Sequence, residues 1–299
     1  MSKTGDITLP ALRAFAAVAR TGSFTAAAET LGVSQPTVSA AVARLEACSD
    51  APLLRRERTG ATLTAHGRRV LEHAVSVLAA VDGLAAALSG TAAPGLTVGF
   101  MGEAAGPRTA LVVDAVRART EGRVRLRRFD FDDPTCGLLT GDSDLAVVWP
   151  PLSTGALDTL PLGADRRAVA LPVTHPLAAR PALHPADLGG LAWVTPRSPD
   201  PVWARFRHPA AVGVADATVA AGSGAIEETL ELVAAGAGAA LVSESTDQHY
   251  ARSGVAVVPL LGGHHCTTAL AWRRDDARPA VTETVAALRA LLAARPVTG

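Results

Sequence analysis

The period of apolar positions changes several times along the 299-residue chain, and each change marks an element. Between Ser23 and Glu46 the sequence SFTAAAETLGVSQPTVSAAVARLE holds two short amphipathic segments joined at Gly32. Ser23 is placed to cap a helix through Ala26, Ala27, Ala28 and Leu31, strong helix formers with one apolar face. Gly32 stops it, because glycine takes a left-handed backbone cheaply at a helix C-terminus. Ser34 caps the next helix, and Pro36 lies in its first turn, where a missing amide proton costs little. Val38, Val42 and Leu45 then follow at i, i+4 and i+7. One apolar face points inward, leaving Gln35, Thr37 and Ser39 near the exposed N-terminal end. Ala28 is small where two steeply crossing helices approach through a short turn. Periodicity alone fits an ordinary helical hairpin equally well; the downstream pattern favours a helix-turn-helix that reads DNA.

Leu53 and Leu54 lead into a basic turn, Arg55 to Gly60, and then into Ala61 to Thr64, which predicts a hairpin wing with arginines at its tip. Such arginines reach phosphates or the minor groove, although a charge cluster by itself is also an ordinary solvated turn. From Ala65 to Ser89, Leu71, Ala74, Val75, Leu78, Val81, Leu84 and Leu88 recur at spacings of three and four. A helix of about 25 residues is roughly 37 Å long. Its alanine-rich stripe needs cover, either from a partner or from the chain's own body.

Past a break at Gly90 to Gly95, strands and helices alternate. Strands are predicted at Leu96–Phe100, Arg123–Phe131, Leu145–Trp149 and Leu157–Leu162, with a helix at Arg108–Arg119. A second lobe is expected to contain Arg166–Pro172, Leu191–Thr195, a helix at Ala225–Ala235, and Ala239–Ser243. The chain then returns near Val257–Leu261, with a strand at Thr267–Trp272 and a last helix at Pro279–Ala294. Alternation of this kind predicts a layered α/β domain with a mainly parallel sheet, and the two crossings predict a hinge.

Charge sharpens the N-terminal reading. The whole chain is neutral, yet its first 69 residues carry nine basic side chains against five acidic ones. A basic head of about +4 is balanced by the remainder at about −4. The three cysteines are far apart, which fits a reduced cytoplasmic chain. No apolar run reaches membrane-spanning length without glycine or charge. His264, His265 and Cys266 are the only cluster with metal-ligand chemistry, but neighbours on a strand point to opposite faces, so no metal is expected. A redox pair of Cys136 and Cys266 is disfavoured by their separation. Nucleophile-elbow, P-loop and Rossmann signatures are missing, so neither an enzyme nor a cofactor is indicated.

The run from Leu12 to Thr64, with Phe15, SFTAAA, SQPTVS, the Arg44-Leu45-Glu46 triplet and Leu63-Thr64, resembles the LysR-type transcriptional regulators. The resemblance covers nearly the whole chain. It implies an α-helical winged helix-turn-helix with a long linker helix, followed by a two-lobed α/β effector domain like the periplasmic binding proteins. The implied segments are 7–64 for DNA binding, 65–90 for the dimerising linker, and 94–299 for the effector domain. Lobe I then takes 94–161 and 265–299, and lobe II takes 162–264. The second helix is implied to lie in the major groove. DNA contacts are expected from Ser23, Thr25, Ser34, Gln35, Pro36, Thr37, Ser39, Arg44, Arg55, Arg56 and Arg58. Double-stranded DNA, a small-molecule effector, RNA polymerase and a second copy, as homodimer or homotetramer, are the implied partners. The chain departs from the family at Ala40 and Ala41, where longer polar side chains are common, and at Ser49, Asp50 and Thr59 around the wing. Those short residues keep open an alternative, a ligand-binding assembly protein without sequence-specific DNA reading.

In open α/β sheets ligands sit beyond the carboxyl ends of strands, often at helix N-termini. Met101, Gly102, Glu103 and Ala104 in the first such loop, and Ser223 and Gly224 in a second glycine-rich loop, are therefore candidate effector contacts. Trp149, Thr195 and Ser243, at strand ends, complete the set. Facing glycine-rich helix starts suggest an anion, against which Glu103 argues.

Overall fold

The computed structural model describes residues 7–57, 60–89, 95–102, 107–262 and 265–294. The chain divides into two compact units. The first is built on the segment up to 94, with 139–142 and 275–278, and the second on the rest.

In the first unit, α1 (Leu9–Thr21) starts at the Thr8 cap and ends at Gly22, whose φ of 64° is the left-handed conformation glycine tolerates. α2 (Phe24–Leu31) is capped by Ser23, ends at Gly32 (φ 66°), and gives way to α3 (Gln35–Ala47). Antiparallel β1 (Leu54–Glu57) and β2 (Gly60–Leu63) form the wing. A side chain at Gly60 would run into the Gly22 carbonyl, whose oxygen accepts from the Ala61 amide at 2.7 Å. Glycine at both positions thus seats the wing against the end of α1. Phe15, Val18, Val38, Val42 and Leu53 make the core. α4 (Ala65–Ser89) adds Leu71, Ala74 and Val75 to it, while Leu84 and Leu88 stay 59% and 79% exposed. The expected stripe therefore splits: its first turns pack on their own body, and its far end is uncovered.

The second unit holds two sheets. β3 (Leu96–Met101) is followed by α5 (Pro107–Arg117), β4 (Val124–Phe129), β5 (Leu145–Val148) and β6 (Leu157–Asp165). Then come β7 (Arg167–Pro172), β8 (Ala192–Pro196), α6 (Pro201–Arg207), β9 (Thr218–Ser223), α7 (Ile226–Ala234), β10 (Ala240–Ser243) and the short α8 (Thr246–His249). β11 (Val255–Pro259), β12 (Cys266–Arg273) and α9 (Pro279–Ala293) close the chain. The first sheet has the order β4-β3-β5-β12-β6. The second joins β10-β7-β11 to the β8-β9 pair through a parallel bridge between Trp193 and Ala239. In each lobe three parallel strands are followed by one antiparallel to them, so the sheets are mixed and not mainly parallel.

Two sequence expectations change here. β6 stays paired with β12 as far as Asp165↔Cys266, so the strand runs three residues beyond its expected end at Leu162. Ser223, expected in a loop, is the last residue of β9, paired in parallel with β8. The break at 90–94, and Glu103 and Ala104, lie outside the described residues, as do Arg58 and His264.

Candidate nucleic-acid interface and ligand pocket

The start of α3 is built to be presented. Ser34 Oγ accepts from the Thr37 amide at 3.4 Å and lies 2.8 Å from Thr37 Oγ1, satisfying donors that a helix N-terminus leaves open. Val38, Val42 and Leu45 turn inward and are almost fully buried. Gln35, Pro36, Thr37 and Arg44 are exposed and Ser39 is half-buried. In α2, Thr25 is exposed, whereas Ser23 is half-buried and accepts from the Ala26 amide at 3.4 Å. Ser23 and Ser34 thus have capping work besides any contact with DNA. Arg55 is exposed on β1; the side chain of Arg56 is not among those described. An amide side chain can meet adenine by two hydrogen bonds, and hydroxyls and arginines can hold phosphates.

Glu46, near the end of α3, ties this helix to the wing. Its Oε1 accepts from the amides of Leu53 (3.0 Å) and Leu54 (3.2 Å), where β1 begins. The recognition-type helix and the wing are therefore held in one register by a single carboxylate oxygen.

Within the second unit, a small pocket, partly open to solvent, lies where residues of the two sheets converge. Phe131 and Trp149 come from the first lobe's side, Ile226 and Leu241 from the second. Phe131 donates its amide to the Gly224 carbonyl at 2.9 Å, and Arg128 pairs with Glu227 at 2.7 Å, which links the lobes beside the pocket. Two arginines, Arg167 and Arg207, line it, and among the described residues no carboxylate does.

Arg167 is 2% exposed. Its Nη2 donates to the Phe206 carbonyl at 2.5 Å, and its guanidinium stacks 4.0 Å from the centroid of that ring. Nε and Nη1 are buried without a hydrogen-bond partner. Burial lowers the Arg167 pKa, an effect the neighbouring Cys266 sulfur opposes. The Arg207 guanidinium stacks 3.8 Å over Trp203 and donates to the Trp149 carbonyl at 3.4 Å.

Two family models match the chain. Residues 9–68 match "Bacterial regulatory helix-turn-helix protein, lysR family", and residues 89–293 match "LysR substrate binding domain". The chain belongs to the LysR family of transcriptional regulators. Both matched domains are regulatory, and neither is an enzyme domain. The chain is 32% identical over 287 residues to the "HTH-type transcriptional regulator IlvR" of Caulobacter vibrioides, covering 89% of this chain and 92% of that one. It is 33% identical over 193 residues to a "Probable hydrogen peroxide-inducible genes activator" of Mycobacterium avium, and spans 62% of that relative's length and 62% of its own. Among solved structures, a full-length OxyR variant of Pseudomonas aeruginosa superposes with a TM-score of 0.61 at 24% identity, covering 94% of each chain, a likeness in fold.

Of the effector contacts expected for this LysR-family chain, Trp149 and Ser243 line the pocket. Met101 is buried in β3, the Gly102 carbonyl accepts from the Tyr250 hydroxyl, and Thr195 lies in β8; none of the three is a lining residue. Ser223 Oγ is 2.7 Å from Thr229 Oγ1, and it is Thr229 that reaches the pocket. The Gly224 amide, expected to offer itself to an anion, donates to the Glu228 carboxylate at 2.5 Å. That amide is thus already held by a carboxylate of the helix it precedes. Sequence reasoning missed Arg167, Arg207 and Cys266 at the pocket; the one available signal was an arginine inside the apolar run Arg167-Ala168-Val169-Ala170-Leu171.

Proposed function

We propose that this LysR-family regulator binds a two-fold operator as a dimer or tetramer, with α3 in the major groove and the wing on the adjacent backbone. Gln35, Thr37 and Ser39 face base edges, while Arg44 and Arg55, with Arg56 and Arg58, bind phosphates. The exposed, capped start of α3, whose opposite face is locked in the core by Val38, Val42 and Leu45, is the observation that carries this reading. The uncovered end of α4 supports pairing with a second copy, which sets the two recognition helices about one DNA turn apart, or multiples of it. A small molecule in the pocket between the lobes shifts their closure and so the operator complex and its contact with RNA polymerase. It does so only by its difference in affinity for the two states. This places the protein's work in the cytoplasm; among the described residues no helix is long and apolar enough to cross a membrane.

The test is footprinting and quantitative binding on the promoter region of its own gene. Gln35→Ala is expected to cost about 1–3 kcal/mol and relax base preference at one position per half-site; Arg55→Ala is expected to weaken all sequences alike and reduce the salt slope by about 1. If both variants bind like the parent chain, the assignment of α3 and the wing is wrong.

A further inference from the structure

We infer that Cys266, beside Arg167 in the pocket between the lobes, is a nucleophile that captures a small α,β-unsaturated ketone as a covalent adduct, the ketone oxygen held by Arg167. The site stands on its own chemistry; its consequence for the operator rests on the reading of this chain as a regulator.

A charge taken out of water needs a partner, and Arg167 is 2% exposed. Its Nη2 donates to the Phe206 carbonyl, and the ring of Phe206 stacks on the guanidinium plane and fixes its orientation. No oxygen accepts from Nε or Nη1. The neighbour that supports the charge is the Cys266 sulfur, through a side-chain hydrogen bond and coulombic attraction. The Nε and Nη1 protons point to opposite sides of the guanidinium, so one sulfur serves one of them and leaves the other donor open. Among the described residues no carboxylate lines the pocket, and Arg207 adds a second positive charge, so the sulfur is the lining group able to answer them as an anion. A guanidinium beside a thiol favours the thiolate, the form that attacks carbon. Cys266 is half-buried and so within reach, whereas Cys136 is fully enclosed.

The walls select the electrophile. Phe131, Trp149, Ile226 and Leu241 are apolar, which suits a hydrocarbon body, and the open Arg167 donor suits the single oxygen of a ketone. The thiol gives its proton to water. The thiolate electron pair then forms the S–C bond at the β-carbon, while the C=C π pair moves through the α-carbon onto the ketone oxygen, where the Arg167 donor stabilises the enolate. Water returns a proton to the α-carbon. Atoms and charge balance with no net oxidation or reduction, so neither an oxidant nor a reductant takes part. Cys266 opens β12 opposite Asp165, and the pocket it lines draws on both sheets, so an adduct fills space between the lobes and biases their closure.

The experiment incubates the full chain at neutral pH with cyclohexenone and follows each cysteine by peptide mass mapping, with iodoacetamide and hydrogen peroxide as separate arms. Cys266 is expected to take the cyclohexenone adduct at least about tenfold faster than Cys48. Iodoacetamide, which needs no ketone site, is expected to separate the two cysteines less. Arg167→Met is expected to slow the Cys266 adduct about tenfold or more, and Arg167→Lys, which keeps a donor and a charge, to restore part of the rate. The comparison of Cys266 with Cys48 in the parent chain needs no variant and stands if neither folds. Equal cyclohexenone rates at the two cysteines overturn the inference, as does the same rate ratio for cyclohexenone and iodoacetamide. Arg167→Met reacting like the parent chain also overturns it, and so does oxidation of Cys266 by peroxide with no ketone adduct. Operator binding is measured on the same samples before and after modification. DNA binding with no preferential adduct removes this inference and leaves the regulator reading, whereas a preferential adduct on a chain that ignores the operator removes the regulator reading and leaves this site.

Discussion

Replacing Glu46 tests how the DNA-binding head is held together. One oxygen of this side chain accepts from two amides at the entry to the wing, Leu53 at 3.0 Å and Leu54 at 3.2 Å. Leu53 is fully buried and Leu54 nearly so, so neither amide has easy access to replacement water. A hydrogen bond to a charged group is worth about 1.5–3 kcal/mol, and leaving a buried donor unmade costs about 1–3 kcal/mol. Because both donors share one oxygen, the pair is worth less than twice one bond, and Glu46→Ala should destabilise the head by about 2–4 kcal/mol. Glu46→Gln keeps an acceptor and loses its charge. It also relieves a negative charge near the C-terminal end of α3, worth about 0.3–1 kcal/mol in the opposite direction, so its net cost should stay near 1 kcal/mol. Native-state hydrogen exchange resolved to residues 46–57 isolates this contribution, where bulk unfolding of a two-unit chain would not. Protection of the Leu53 and Leu54 amides should fall in the order parent, Gln, Ala, and operator affinity with it. Equal protection in all three proteins, or Gln behaving like Ala, would refute the clasp.

Three further outcomes follow from the same geometry. Leu84→Asp with Leu88→Asp should weaken self-association by about two orders of magnitude, since burying two leucines is worth about 3 kcal/mol or more; sedimentation velocity reads this, and an unchanged assembly would remove α4 from the interface. Glu228 is held below the ordinary glutamate range first by the Gly224 amide and further by Arg197. Its stabilising contribution is present above the unfolded pKa and lost as pH falls through the folded one, so Glu228→Gln should flatten the acid side of the melting profile, and a parallel profile would contradict this. Burial pushes the Cys136 thiol well above its usual range, so a thiol reagent at neutral pH should label Cys48 and Cys266, both half-buried, and spare Cys136 in the native protein. Labelling of Cys136 as fast as in the unfolded chain would show that its surroundings open.

The N-terminal head was legible because its signals are local and concordant. Ser23, Gly32, Ser34 and Pro36 punctuate the chain where helices start and stop, and Val38, Val42 and Leu45 repeat with the helical period. Hydroxyl capping and left-handed glycine are properties of a few adjacent residues, so no distant contact is needed to read them. The α/β alternation was legible for the same reason. β9 was not, because Thr218–Ser223 carries threonine, alanine and glycine without apolar alternation; its pairing with β8 comes from tertiary contact. α6, capped by Asp200 between two prolines, was also missed: Asp200 accepts from the Val202 and Trp203 amides, a local signal hidden by turn-like composition. The pocket was least legible. Charged side chains are rarely buried, so an arginine at the start of a strand reads as exposed, and Arg166 beside it is indeed exposed and paired with Glu244. Only the packing of Phe206 and β10 around Arg167 reveals which of the two arginines is enclosed.

Salt-titrated binding of the full chain to its own promoter region, compared with a random duplex of equal length, tests the central claim most directly. A dimer docking two recognition helices and two arginine wings should prefer the promoter by about 10³-fold or more, protect two half-sites separated by a whole number of DNA turns, and lose affinity linearly in log–log form as salt rises. Equal, salt-insensitive binding to both duplexes would contradict it, and would leave a ligand-binding assembly protein in place of a reader of DNA.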